Sequence, residues 1–234
     1  MKRRIRKAIR YIIVLLGFLW LMSITYTVYL RWLPPITTHL MVSRGLEKRA
    51  EEKPEFHFRH KWRSWNNISD NAKLAAIAGE DANFAYHFGI DMEAIKKAIE
   101  YNSRGERVRG GSTISQQVAK NIFLWQGRSW LRKGLEVYFT WSIELLWSKE
   151  RILQMYLNVA EMGDGIFGIE AAAQYYFGVR ASELTAAQAA SIAAVLPNPR
   201  KYNPKNPTKY IDQRKARILR YMRYLKKEKY LEKL

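Results

Sequence analysis

The sequence predicts a mainly α-helical domain carried behind a single N-terminal membrane-spanning helix. Three observations lead there. Residues Tyr11 to Leu30 carry no charge. Beyond them, apolar residues recur at helical spacing between recognisable caps, and no alternating β-branched run is long enough for a sheet. A chain of 234 residues has room for one anchor and one globular domain with a proper core.

The span comes first. A helix of about 20 residues covers roughly 30 Å, the hydrocarbon thickness of a bilayer. A cleaved signal peptide would have a shorter apolar region, roughly 7–15 residues, followed by a small-residue cleavage site. Here Arg31-Trp32 follows instead, so the span reads as a retained anchor. Lys2, Arg3, Arg4, Arg6, Lys7 and Arg10 precede it. The positive-inside rule then leaves the N-terminus in the cytoplasm and sends the C-terminal portion outward. The expected organisation is a basic cytoplasmic tail (1–10), a transmembrane helix (11–31), a stalk or entry segment (32–66) and a globular domain (67–234).

Pro34-Pro35 stops any helix, and Thr37 to Trp65 is mixed, charged and irregular in pattern. Asp70 is placed to cap a helix carrying Leu74, Ala75 and Ile77 and ending near Glu80. Asp91 is placed to cap the next, with Ala94, Ile95, Ala98 and Ile99 on one side. Further helices are expected over Trp130–Trp147, over Lys149–Asn158, and over an alanine-rich stretch from Gly168 to Phe177 closed by Gly178. Thr185 and Gln188 have capping-box spacing before an apolar run that Pro197 and Pro199 close. A basic helix from Asp212 to Tyr230 ends the chain.

The chain holds 40 Lys and Arg against 21 Asp and Glu, a net charge of +19. The six N-terminal cations do not account for it. Much of the rest lies at Arg214, Lys215, Arg217, Arg220, Arg223, Lys226, Lys227 and Lys229. Such a cluster suits anionic headgroups or diphosphates, or is simply a solvated helix face. Nucleic acid is excluded once the domain sits outside the membrane. With no cysteine, there is neither a disulfide framework nor a thiolate metal site.

The most informative stretch runs from Gly110 to Asn121, GGSTISQQVAKN. Paired glycines let a backbone approach a ligand closely, and a dense row of hydroxyl and amide side chains follows, then Lys120. Read with Glu80-Asp81-Ala82-Asn83-Phe84 through Gly89, with Arg132-Lys133-Gly134-Leu135-Glu136, and with Lys149 to Asn158, the chain resembles a known family. It is similar, from about Asn67 to Tyr202, to the transglycosylase domains that polymerise bacterial peptidoglycan from lipid-linked disaccharide. These are shared with class A penicillin-binding proteins, and here the resemblance is to the monofunctional, biosynthetic form.

The resemblance implies a lysozyme-like helical fold and an inverting glycosyltransferase. Its expected reaction moves a growing lipid-diphosphate-linked strand onto the 4-hydroxyl of lipid II, forming a β-1,4 linkage and releasing polyprenyl diphosphate. Such a transfer needs a base for the acceptor hydroxyl, cations for the departing diphosphate, and a groove that aligns both. The resemblance assigns Glu80 as general base. From the residue alone, a helix-end glutamate with a local hydrogen bond is the simpler reading. Asp81 would support the acceptor, with His87 a structural partner. Glu136, whose plain alternative is an intrahelical pair with Arg132 or Lys133, is assigned to the donor side as the second catalytic carboxylate.

Lys120 and Arg128 form the expected diphosphate clamp, with Arg132 and Lys133 beside it. Ser112, Gln116 and Gln117 would line the cleft. A carboxylate beside a diphosphate argues for Mg²⁺ or Mn²⁺ at Glu136, although no complete ligand set is visible; no organic cofactor is expected. Trp125, Trp130 and Leu131 would form a membrane-dipping surface or pack in a core. Arg104 to Arg109 reads as a mobile segment beside the glycan, and Asn158 and Glu161 as packing residues at the edge of substrate reach.

Two other classes remain open. A lysozyme-like hydrolase also uses two carboxylates, but a neutral leaving sugar needs no clamp such as Lys120 and Arg128. A non-enzymatic basic module would be indifferent to Glu80→Gln. No Ser-x-x-Lys spacing occurs and no room follows Leu234, so no transpeptidase activity is expected. The expected partners are lipid II, the nascent lipid-linked strand, the membrane, and the division or elongation machinery including transpeptidases. The expected setting is a bacterial inner membrane, single-pass, with the catalytic domain extracytoplasmic.

Overall fold

The computed structural model describes residues 2–51, 58–103, 111–127 and 129–234. The chain divides into two compact units, Met1–Pro35 and Ile36–Leu234. The first is the helix α1 (Lys2–Tyr29) and the turn after it. Within it, Arg3–Tyr29 is long and apolar enough to cross a membrane, with a mean hydropathy of 2.0 over its most apolar window. Its serine and threonine hydroxyls are satisfied internally. Ser23 donates to the Trp20 carbonyl, Thr25 to Leu21 and Thr27 to Ser23, the arrangement an apolar solvent requires.

The second unit holds α2 (His39–Ala50), β1 (Arg59–His60), α3 (Asp70–Glu80), α4 (Met92–Ser103), α5 (Ile114–Phe123), α6 (Trp130–Leu146) and α7 (Lys149–Val159). A short hairpin, β2 (Glu161–Gly163) and β3 (Ile166–Phe167), leads to α8 (Ile169–Phe177), α9 (Ala186–Val195) and α10 (Lys209–Lys227). The mainly α class is as the sequence predicts.

Two expectations need correction. The segment read as an irregular stalk contains α2, and a small sheet exists. In α2 the Thr38 hydroxyl accepts from the Met41 amide, and Leu40 and Met41 bury against Phe167. Only two buried apolar residues identify its inner face, too few for periodicity to reveal beneath so much charge. The sheet has order β1-β3-β2, with β1 parallel and β2 antiparallel to β3. Its strands are two or three residues long, below what alternation can signal.

The caps decide where the functional helices begin and end. Ser69, one residue before the expected cap, accepts from the Ala72 amide, leaving Asp70 in the first turn of α3. Asp91 accepts from the Ala94 amide at the start of α4. Thr113 and Gln116 form a reciprocal capping box on α5, and Thr185 and Gln188 do so on α9. Gly178 closes α8 in the left-handed conformation at φ 68°.

The core is built around α9, whose residues from Ala189 to Val195 are all buried. Helix α3 packs across both α9 and α10, while α5 packs against α2, α6 and α7. Leu74, Ala75, Ala76 and Ile77 anchor α3 and so deliver Glu80 at its final turn. The Gly79 backbone approaches Ile218 and Ala193, a fit that only a small residue allows.

A polar knot ties the two ends of this core together. Asn158 is fully buried. Its Oδ1 accepts from the Arg63 amide at 2.7 Å, and its Nδ2 donates to the Arg63 carbonyl at 3.0 Å. The Arg63 guanidinium reaches the buried Glu170 carboxylate at 2.6 Å, which also accepts from the Ala181 amide. Asn158 is therefore a packing residue. Asn158→Ala leaves the part-buried Arg63 amide without its acceptor and the Arg63 carbonyl with only the longer contact from Gln154, and is expected to cost about 1–3 kcal/mol. Thermal and urea unfolding of the full chain in detergent measures it, and retention of wild-type stability would contradict the role.

Candidate active site

Helices α3, α5 and α10 converge on Glu80. Its Oε1 accepts from Arg214 Nη2 of α10 at 2.8 Å, and its Oε2 accepts from Gln117 Nε2 of α5 at 2.9 Å. The same Arg214 nitrogen also donates to the Gly79 carbonyl at 2.8 Å. The Glu80 side chain is only 13% exposed. Burial pushes its carboxyl above the ordinary glutamate range; Arg214 and the Gln117 hydrogen bond pull it back, and the Asp81 carboxylate adds to the rise. The rise wins. The carboxylate therefore holds a proton more readily than an exposed glutamate while both its oxygens keep a donor.

Behind Gln117 stands Tyr156 of α7, fully buried, its hydroxyl 3.5 Å from Gln117 Oε1. Burial, together with the Glu80 charge, raises its phenol well above the usual value. Tyr156 therefore meets the site as a neutral hydroxyl.

Asp81 points elsewhere. It is buried, accepts from His87 Nε2 at 2.9 Å and 3.0 Å, and accepts from the Ile114 amide at the start of α5. Asp81 thus locks the α3 end to the α5 start. Thr113 adds a second tie through its hydroxyl, which donates to the Gly89 carbonyl at 2.6 Å. Gly89 takes φ 76°, with Thr140 and Glu144 crowding the space a Cβ would need. Lys149 completes this wall by donating to the His87 carbonyl and to Glu144.

The remaining predicted residues sit along α5 and α6. Gln116 is buried in the capping box, its Oε1 accepting from the Thr113 amide. Ser112 is exposed just ahead of it. Gln117 and Lys120 lie three residues apart on α5, so one helix carries a residue of the Glu80 cluster and a residue of the cationic cluster about one turn apart. Glu136 of α6 is buried, with Oε2 accepting from Arg132 at 2.7 Å and Oε1 from Lys133 at 2.5 Å. Arg128 and the Arg104–Arg109 stretch lie outside the described residues.

The Lys120 ammonium makes no hydrogen bond or ion pair among the described residues. Burial lowers its ammonium pKa, Glu136 raises it, and Arg132, Lys133 and Arg44 lower it further, for a net fall. Lys120, Arg132 and Lys133 thus share one buried carboxylate, while Arg44, paired with Glu47 and Glu161, adds its charge from further away. The balance around Glu136 is positive. The metal expectation fits poorly, because both Glu136 oxygens are occupied by cations. No cluster of three His, Cys, Asp or Glu side chains able to hold a metal occurs among the described residues. A divalent ion reaching Glu136 would have to replace Arg132 or Lys133.

Beside this cluster, Trp130 is 93% exposed and Leu131 is 71% exposed, with Trp125, Trp141 and Leu145 also exposed. They form surface, not core. Sequence reasoning missed Arg214, grouping it with the solvated basic residues. A signal was present: Arg214 falls on the α10 stripe of Ile211, Ile218, Met222 and Leu225, all buried.

Comparison with known proteins agrees with this arrangement. A family model described as transglycosylase matches residues 48–223. A biosynthetic peptidoglycan transglycosylase of Pseudomonas entomophila (strain L48) is 53% identical over 212 residues, covering 91% of this chain and 89% of the relative. One from Ectopseudomonas mendocina (strain ymp) is 50% identical over 230 residues, covering 98% and 95%. One from Pseudomonas putida (strain GB-1) is 52% identical over 212 residues, covering 91% and 89%. The chain belongs to the transglycosylase family, and its activity is that of a glycosyltransferase.

Proposed function

We propose that the protein polymerises peptidoglycan glycan chains from lipid II, with Glu80 as the general base of an inverting transfer. The observation that carries this reading is a buried carboxylate with a raised pKa, bonded to the same helix, α5, that carries Lys120 of the cationic cluster around Glu136. In this reading the acceptor 4-hydroxyl approaches Glu80, which takes its proton as the oxygen attacks the anomeric carbon of the strand. The C–O bond to the diphosphate breaks, and the electron pair leaves with the polyprenyl diphosphate. The proton stays on Glu80 until solvent removes it.

Lys120, Arg132 and Lys133, with Arg128, receive the departing charge. Contacts that strengthen as the diphosphate becomes more negative lower the barrier rather than merely binding substrate. Glu136 holds Arg132 and Lys133 in place before the anion arrives. Gln117 and Arg214 fix the Glu80 carboxylate, while Asp81 sets the α3–α5 geometry from behind. The helix at Arg3–Tyr29 anchors the domain with its N-terminus cytoplasmic and the catalytic unit outside, where the exposed Trp130 and Leu131 meet the lipid interface. The chain carries polymerisation alone, and crosslinking falls to transpeptidases of the division or elongation machinery.

Three results test this reading. Glu80→Gln is expected to lower polymerisation of purified lipid II by roughly 10²–10⁴-fold, with the fold intact by circular dichroism. Near-wild-type polymer would sink the assignment. Arg214→Ala removes a charge that pulls the Glu80 pKa down, so the acidic limb of the kcat/KM profile should move to higher pH. An unmoved limb would mean Arg214 does not act on the base. Lys120→Ala is expected to reduce kcat more than it raises KM, and Lys120→Arg to recover part of the loss, because the charge is needed most as the diphosphate leaves. A pure KM effect would relegate Lys120 to ground-state binding.

A further inference from the structure

Arg214 has a second face. On the side of α10 that also carries Arg217, Arg220, Tyr221 and Tyr224, a cavity of about 810 Å³ opens towards Lys97 of α4. Ala78, Gly79 and Ala82 line part of it, so small side chains keep it open there. Four of its lining side chains are cationic and none is acidic. Lys97 also pairs with Glu93 across one helical turn at 2.6 Å, but Glu93 does not line the cavity. The volume falls within the roughly 300–1,000 Å³ range of small-molecule sites.

We propose that this cavity is a second anion site, distinct from the Lys120–Glu136 cluster, and that it binds a phosphate ester carrying more than one negative charge. Three arginine forks match phosphate oxygens in geometry as well as charge. Lys97 pairs with Glu93 and Arg214 with Glu80, whereas the Arg217 and Arg220 guanidiniums make no ion pair among the described residues, so the lining keeps an excess of positive charge that a polyvalent anion balances. Tyr221 and Tyr224, stacked at 5.6 Å between ring centroids, offer flat apolar surface with polar tips beside the charge. That combination suits a phosphate joined to a sugar or glycerol better than a bare ion.

The site bears on the reaction through Arg214. One guanidinium lines the cavity and also donates to Glu80, with Nη2 committed to Glu80 and Gly79. Its buried Nε has no acceptor among the described residues. An anion in the cavity competes with Glu80 for this shared cation, so occupancy tunes the base. The coupling to catalysis rests on the reading of Glu80 given above; the anion site itself does not.

The ligand has two possible sources, a membrane headgroup or a lipid-linked sugar diphosphate. Inorganic diphosphate serves as the probe, titrated calorimetrically into the full chain in neutral maltoside detergent. Wild type is expected to show two sites. Arg217→Ala/Arg220→Ala should weaken one at least tenfold and leave the other, while Lys120→Ala/Lys133→Ala should do the reverse. Arg217→Lys/Arg220→Lys should recover part of the first. A single site in wild type, or a binding curve indifferent to the arginine pair, would overturn the proposal. Repeating the titration in nanodiscs identifies the source. Competition by phosphatidylglycerol, absent with phosphatidylcholine alone, assigns a headgroup, and no competition with either assigns the lipid-linked sugar. Because the readout is binding, it stands or falls independently of polymerisation by the Glu80→Gln variant.

Discussion

Glu80 is gripped by two donors that the chain supplies from far apart, Gln117 of α5 and Arg214 of α10. Everything else in the site follows from holding that grip in a nearly dry place. Burial alone would raise the carboxyl further, and a full salt bridge in water would lower it. The structure sits between these limits, with desolvation opposed by one charge and one amide. Buried charge pairs of this kind contribute little net stability, since desolvation offsets much of the attraction. On the reading of Glu80 proposed above, the arrangement serves function rather than stability.

The grip needs rigid helices, and the fold supplies them through polar locks as well as apolar packing. Asp81 closes the α3–α5 corner through His87 and the Ile114 amide. Glu144 gathers Ser115 and Lys149 on the neighbouring wall. On the opposite side of the core, Asn158 and Glu170 pin Arg63. Helix α2, bound by Arg44 to Glu161 and by Lys48 to Asp164, packs on the same α5 that carries Gln117 and Lys120. The residues after the span are thereby part of the catalytic scaffold.

Much of this was legible in the sequence, for physical reasons that differ by element. Helices α3, α4 and α9 announce themselves because their caps are local chemistry, side chain to nearby amide, and α8 through the left-handed glycine that closes it. Helix α10 was expected as a basic helix from Asp212 to Tyr230, and the structure starts it earlier, at Lys209, where Thr208 makes the cap. Helix α2 and strand β1 were hidden because they depend on contacts over a hundred residues distant, such as Arg44 with Glu161 and Arg59 with Ile166, while β2 and β3 form a local hairpin too short for alternation to show. In the site, Glu80 and Glu136 were found through the resemblance of their motifs. Arg214 was not, because a cation in a basic run looks solvated until its place on the buried stripe is noticed. Gln116 reads as a cleft-lining amide in sequence, yet structurally its carbonyl is spent on the α5 cap.

The measurement that tests the account most directly is the titration of the Glu80 carboxyl itself. Glutamate labelled with ¹³C at the side-chain carboxyl, with Glu80 identified by its absence in Glu80→Gln, reports ionisation without reference to turnover. The account predicts a midpoint above the ordinary glutamate value of about 4.3, and a further rise when Arg214 is replaced by Ala. A midpoint at or below that value, unmoved by loss of Arg214, would contradict the claim that burial and a shared cation together set the base.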